Sequence, residues 1–160
     1  MYFEDYVPGV RTDHPGTVTV DQAALIEFAE QFDPQYIHTD PDAAADGPFK
    51  GLIASGWHTA GLMMRLFADQ YLTKVASLGG PGIDKLRWLA PVRPGDVLRL
   101  RTEVMEARVS QSKPDRGIVR TRAELFNQDN VRVFSCEVLN FLAVLSLDTD
   151  GAPGNLPSWA

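Results

Sequence analysis

The apolar positions of the chain change period about halfway along. From Ser55 to about Lys74 they follow a helical repeat: at 100° per residue, His58, Arg65, Asp69 and Thr73 fall in one narrow sector. Trp57, Ala60, Leu62, Met63, Met64, Leu66, Phe67, Ala68, Tyr71 and Leu72 occupy most of the remaining circumference. A helix apolar over so much of its surface is expected to be wrapped by other structure. After Gly79-Gly80-Pro81-Gly82 the period becomes two. Leu98, Leu100 and Val104 alternate with Arg99, Arg101 and Glu103, and Val119, Thr121, Ala123 and Leu125 alternate with Arg120, Arg122 and Glu124. Such alternation predicts strands with one buried and one wet face, the signature of an antiparallel sheet.

The flanking segments complete this pattern. Thr17–Val20 reads as a short strand, followed by a helix through Gln31 with Asp21 as its N-cap. Asp33-Pro34 ends that helix, because a proline disfavours helical geometry in the residue before it. Residues 33–48 read as polar loop, with one short helical turn at Asp42–Ala45. Leu86–Leu89 and Val131–Leu145 read as further strands, with turns at Lys113–Gly117 and Asn127–Asn130. The expected class is α+β: a buried central helix and at least four antiparallel strands curling around it. The expected organisation is one domain over residues 1–148 and a loose C-terminal tail over 149–160.

Composition narrows the class. A length of 160 residues suits one domain, and 44% hydrophobic content suits a soluble globular one. One cysteine excludes an internal disulfide framework, and no Cys/His spacing suits a structural zinc site. The start, Met-Tyr-Phe-Glu-Asp-Tyr, does not read as a signal peptide. The stretch Gly51–Met64, free of charged residues, is shorter than the roughly 20 residues of a membrane span. A cytoplasmic location without membrane association is the expectation.

The net charge of −6 is unevenly spread. Residues 1–80 carry 4 basic against 11 acidic side chains, whereas Lys85–Arg132 carries 11 basic against 6 acidic. Nucleic acid is a poor partner for such a chain, since phosphate backbones call for a net basic footprint. The basic stretch is read first as charged outer strand faces, and second as a local site for a small polyanion.

Chemistry-bearing residues concentrate in two places. Asp33-Pro34-Gln35-Tyr36-Ile37-His38 sets a carboxylate and an imidazole five residues apart, and such a pair can move the protons of a shared water. The same residues also read as a helix-terminal Asp and a surface His satisfied by Asp40. Further on, Gly51-Leu52-Ile53-Ala54-Ser55-Gly56-Trp57-His58 leads into the central helix. Small residues there leave N–H groups accessible at the positive end of the helix dipole, suited to a developing oxyanion. They also suit plain close packing against a crossing sheet. His14 carries no partner motif, and Cys136 reads as a small buried hydrophobe.

Asp33-x4-His38-Thr39-Asp40, then Phe49-x-Gly51-Leu52-Ile53-Ala54-Ser55-Gly56, then Pro91-Val92-Arg93-Pro94-Gly95-Asp96, resembles the MaoC-like dehydratase family, which includes the (R)-specific enoyl-CoA hydratases. The resemblance, over roughly residues 17–145, implies the hot-dog fold, in which a curved antiparallel sheet wraps a long central helix. It implies syn addition of water to a trans-2-enoyl thioester, or the reverse dehydration of a 3-hydroxyacyl thioester. Asp33 and His38 would be the catalytic pair, and the backbone N–H of Gly56 would hold the thioester carbonyl. Ser55, Trp57, His58 and Arg87 are candidate substrate-binding residues, and Lys50, Arg87 and Arg93 candidates for coenzyme A phosphates. No metal or other cofactor is implied beyond coenzyme A as part of an acyl-CoA or acyl-carrier substrate; the partner implied is a second copy in a homodimer or higher homo-oligomer. The chain departs from the usual Asp-x-Asn-Pro-x-His loop at Gln35 and Tyr36, and has Ser55 where a His often precedes the Gly. A thioesterase on the same fold and a catalytically silent acyl-thioester binder are the alternatives.

Overall fold

The computed structural model describes residues 1–72 and 76–145. The tail expected over 149–160 lies outside the described residues; the central helix ends at Gln70, with Tyr71 as its C-cap, short of the end expected at Lys74. A 3₁₀ turn at Phe3–Asp5 leads to β1 (Arg11–Thr19), α1 (Gln22–Phe32), α2 (Tyr36–Thr39), α3 (Pro41–Asp46) and α4 (Gly56–Gln70). Strands β2 (Gly82–Trp88), β3 (Val97–Val109), β4 (Arg116–Phe126) and β5 (Arg132–Ala143) follow. All pairings are antiparallel, in the order β1-β3-β4-β5-β2. This is the α+β hot-dog architecture.

The predicted alternation is the observed one. Leu98, Leu100, Thr102 and Val104 of β3, with Val119, Thr121, Ala123 and Leu125 of β4, are buried on the inner face. There Leu98, Leu100, Ala123 and Leu125 join Met63, Leu66 and Phe67 of α4 in one core. The outer face carries the charges, and register pairs them across strands: Glu103 opposes Arg122, and Arg122 opposes Glu137. Asp13 takes both Arg99 and Arg101, Arg120 meets Asp84, and Arg132 meets Glu124. The basic stretch is thus largely neutralised on its own sheet.

Four expectations need correction. β1 begins six residues earlier than the Thr17–Val20 strand, because Arg11 and Asp13 pair with β3 through charges rather than apolar alternation. His14-Pro15-Gly16 forms a bulge in this edge strand, where a proline is tolerated. The Gln70 amide clamps it, accepting from the Gly16 N–H at 2.6 Å. β2 begins four residues before the expected Leu86–Leu89 strand and ends at Trp88, and being an edge strand it shows little alternation to read. Arg116 and Gly117 belong to β4 rather than to a turn.

The fourth correction concerns α4. The helix buries Thr59, Met63, Leu66 and Phe67, but Trp57, Gly61 and Met64 form an exposed stripe. One concave sheet covers one helical face, so the chain by itself does not wrap the helix. Among the described residues, no helix is long and apolar enough to cross a membrane.

Candidate active site

The segment expected to be loop is largely helical, and its helices place the two candidate side chains. Asp21 caps α1 by accepting from the Ala24 N–H. The helix ends at Asp33, whose backbone leaves helical geometry before Pro34. The chain then turns at once into α2: the Gln35 carbonyl accepts from the N–H groups of His38 and Thr39 at 2.9 and 3.2 Å. Asp40 caps α3, accepting from Asp42 and Ala43. Asp40 is therefore engaged with backbone, and His38 is no surface side chain satisfied by it. His38 is 5% exposed.

Its imidazole is fixed in one tautomer. Nδ1 lies 2.9 Å from the Ile53 carbonyl oxygen, which only accepts, so Nδ1 carries a proton. In the neutral ring Nε2 then presents a lone pair, 3.4 Å from Asp33 Oδ2. That separation exceeds a strong charge-assisted hydrogen bond of about 2.7–2.9 Å. A water molecule, with two hydrogens, can donate one to each atom.

Asp33 is held by both oxygens. Oδ1 accepts from Gln35 Nε2 at 2.7 Å, and Oδ2 accepts from the Ser55 hydroxyl, also at 2.7 Å. Those two donors, with the nearby His38 charge, keep its pKa below the ordinary carboxylate value despite the opposing effect of burial. Ser55 is the N-cap of α4 as well, accepting from the Trp57 N–H. One hydroxyl thus ties the carboxylate to the start of the central helix.

Gly56 is the first residue of that helix, so its N–H lies outside the intrahelical ladder. The close-packing reading of the small residues applies here. A Cβ on Gly56 would come within 2.5–2.9 Å of the Trp88 indole, so close packing alone demands glycine. The indole N–H donates to the Gly56 carbonyl at 2.8 Å.

Asp33, His38 and Gly56 line one cleft of about 520 Å³, within the usual range of small-molecule sites. Ile37, Phe49, Ile53, Ala54, Trp57 and Trp88 through Val92 form an apolar wall around these groups, with Gln35 and Thr59 adding polar atoms. The sequence reading missed Gln35 and Trp88. Gln35 was legible as a departure from the usual loop, whereas Trp88 reaches the site only through tertiary packing. Trp57 lines the cleft and meets Trp88 edge-on at 5.6 Å.

Two candidates stand apart. His58 stacks on Phe28 of α1 with ring centroids 4.9 Å apart, which removes it from the cleft because its helical position faces α1. Burial lowers its pKa. Arg87 is exposed on β2 with its guanidinium on the Leu86 carbonyl, outside the cleft lining. Of the other cations, Arg93 donates to the Phe49 carbonyl at 2.5 Å beside the cleft, and Lys50 follows Phe49 in an exposed turn. Among the described residues, no three His, Cys, Asp or Glu side chains group as metal ligands.

Residues 5–125 match the family model of the MaoC like domain. A crystal structure of a MaoC-like dehydratase from Rhodospirillum rubrum superposes with a TM-score of 0.84 at 36% identity, covering 92% of this chain and 99% of that one. The R-hydratase PhaJ1 of Pseudomonas aeruginosa, unliganded, superposes with a TM-score of 0.70 at 26% identity, covering 97% and 95%. The 3-hydroxyacyl-thioester dehydratase Z of Mycobacterium tuberculosis is 35% identical over 99 residues, 61% of this chain and 66% of that protein. The match to the family model covers most of the chain, and the chain belongs to the MaoC-like dehydratase family.

Proposed function

We propose that the protein hydrates a trans-2-enoyl thioester to a 3-hydroxyacyl thioester, or runs the reverse dehydration. The observation that carries this reading is the meeting of Asp33, His38 and the Gly56 helix start in one apolar-walled cleft. The kinship with an R-hydratase and a 3-hydroxyacyl-thioester dehydratase supports it.

The geometry suggests a division of labour. The ionised Asp33 orients a water, and the Nε2 lone pair of His38 accepts its proton as the oxygen bonds to the β-carbon. The π-electron pair of the alkene moves through the α-carbon to the thioester oxygen, giving an enolate held by the Gly56 N–H. The proton on His38 Nε2 then passes to the α-carbon and the carbonyl re-forms. One water is added in all. Because a single base takes and returns the proton on one face, the addition is syn. Each of these groups belongs to the chain.

The acyl thioester, carried by coenzyme A or an acyl carrier protein, is the substrate partner in this reading. A second copy of the chain is the protein partner. The exposed stripe of Trp57 and Met64 on α4, and the β2 edge with exposed Ile83 and Trp88, offer apolar surface that a homodimer would cover.

Incubation with crotonyl-CoA tests the reaction. Conversion to 3-hydroxybutyryl-CoA without free thiol is expected. Release of coenzyme A thiol would indicate the thioesterase, and thermal stabilisation without turnover the silent binder.

A further inference from the structure

We propose that Gln35 is a positioning residue of this centre, fixing the plane of the Asp33 carboxylate against His38 through its side-chain amide. The inference rests on the hydration reading for its kinetic consequence only; the positioning itself concerns the chain alone.

The carboxyl torsion of an aspartate is broad, so one hydrogen bond leaves the group free to swing. Ser55 holds Oδ2 alone, and a swing of the carboxyl about its own torsion would carry Oδ2 away from His38 Nε2, now 3.4 Å distant. Gln35 Nε2 at 2.7 Å from Oδ1 supplies the second anchor, on the other oxygen. Two donors on two oxygens leave one orientation, with Oδ2 turned to the imidazole. The backbone of the same residue acts on the other partner: its carbonyl receives His38 and Thr39, starting the four-residue α2 that carries the ring. A helix of one turn does not hold itself. Gln35 therefore sits between both members of the pair, by amide on one side and carbonyl on the other.

The two roles separate on mutation, because truncating the side chain leaves the carbonyl in place. Of the groups packed on Asp33, α2 presents the titratable His38, α4 presents the neutral Ser55 hydroxyl, and the loop presents the neutral Gln35 amide. Replacing that amide by methyl removes a donor to the ionised form, and replacing it by carboxylate sets a like charge beside Asp33.

The experiment is a ¹³C NMR titration of the Asp33 carboxyl in the wild type, Gln35→Ala and Gln35→Glu, with the resonance assigned through Asp33→Asn. The pKa is expected to rise by about one unit in Gln35→Ala and further in Gln35→Glu. Hydration of crotonyl-CoA by Gln35→Ala is expected to fall about tenfold in kcat at neutral pH, with KM within about twofold and the acid limb of its pH profile moved upward. An unchanged Asp33 titration in both variants overturns the proposal. A loss confined to KM, with the titration unmoved, overturns it in favour of a substrate contact. A wild type that does not hydrate the substrate counts against the functional reading, while the titration still decides the role of Gln35.

Discussion

The Trp88 indole N–H donates to the Gly56 carbonyl at 2.8 Å, and its ring occupies the space a Cβ at Gly56 would need. The end of β2 is thereby seated on the first turn of α4, at a residue that lines the cleft. Gly56→Ala should displace a rigid ring and cost about 1–3 kcal/mol of stability. Turnover of an enoyl thioester should fall by about 10² as the donor moves. Thermal unfolding and steady-state kinetics check both. Adding Trp88→Ala to Gly56→Ala should cost less stability than the two single losses summed, because the clash is shared.

Asp33 gives a pH dependence of stability with a defined direction. Its folded pKa is depressed, by the Gln35 amide first, then the Ser55 hydroxyl and the His38 charge. A depressed carboxyl pKa contributes stability that is fully present above the unfolded value of about 3.9, and is lost as pH falls through the folded value. Denaturant unfolding of wild type and Asp33→Asn should show their widest gap near neutrality. That gap should narrow below about pH 4.

Cys136 is buried in β5, and burial, reinforced by Glu137, pushes its thiol up to about 12. The thiolate is the reactive form. The native protein should therefore resist a thiol-specific reagent at pH 8 and react with one equivalent only on unfolding. Rapid labelling under native conditions would contradict this placement.

The α4 stripe and the β2 edge make the oligomeric state testable. Met64→Lys and Ile83→Lys each set a charge on exposed apolar surface and leave the core untouched. Light scattering should find a dimer for the wild type and a shift toward monomer in the double variant, with far-UV circular dichroism retained. An unshifted dimer would place the interface elsewhere.

Much of this architecture is legible in the residues themselves, because alternation along β3 and β4 reports burial directly and Asp21 is a cap by type. The extent of β1 was not, since Arg11 and Asp13 declare themselves only opposite Glu103 and Arg101. His38 was readable as a candidate side chain but not as a helical one, because α2 is started by a backbone carbonyl that any residue would supply. Trp57 and Met64 stand exposed on α4 although their apolar character predicts burial, because periodicity counts apolar positions and not the number of surfaces available to cover them. His58 illustrates the converse: a polar residue in a polar sector, it is drawn onto Phe28 by α1 packing. Gln35 and Trp88 belong to the cleft through contacts of orientation and distance that no spacing encodes.

The central claim is that Asp33 and His38 act together on one water. Asp33→Asn and His38→Gln keep size and hydrogen-bonding capacity while removing the carboxylate and the basic ring nitrogen. The decisive measurement is the hydration rate of crotonyl-CoA by each variant, with folding verified by circular dichroism. The account predicts that each loses activity by orders of magnitude and that the double variant loses little more, as expected of groups acting as a unit. Near wild-type turnover in either folded variant would contradict it.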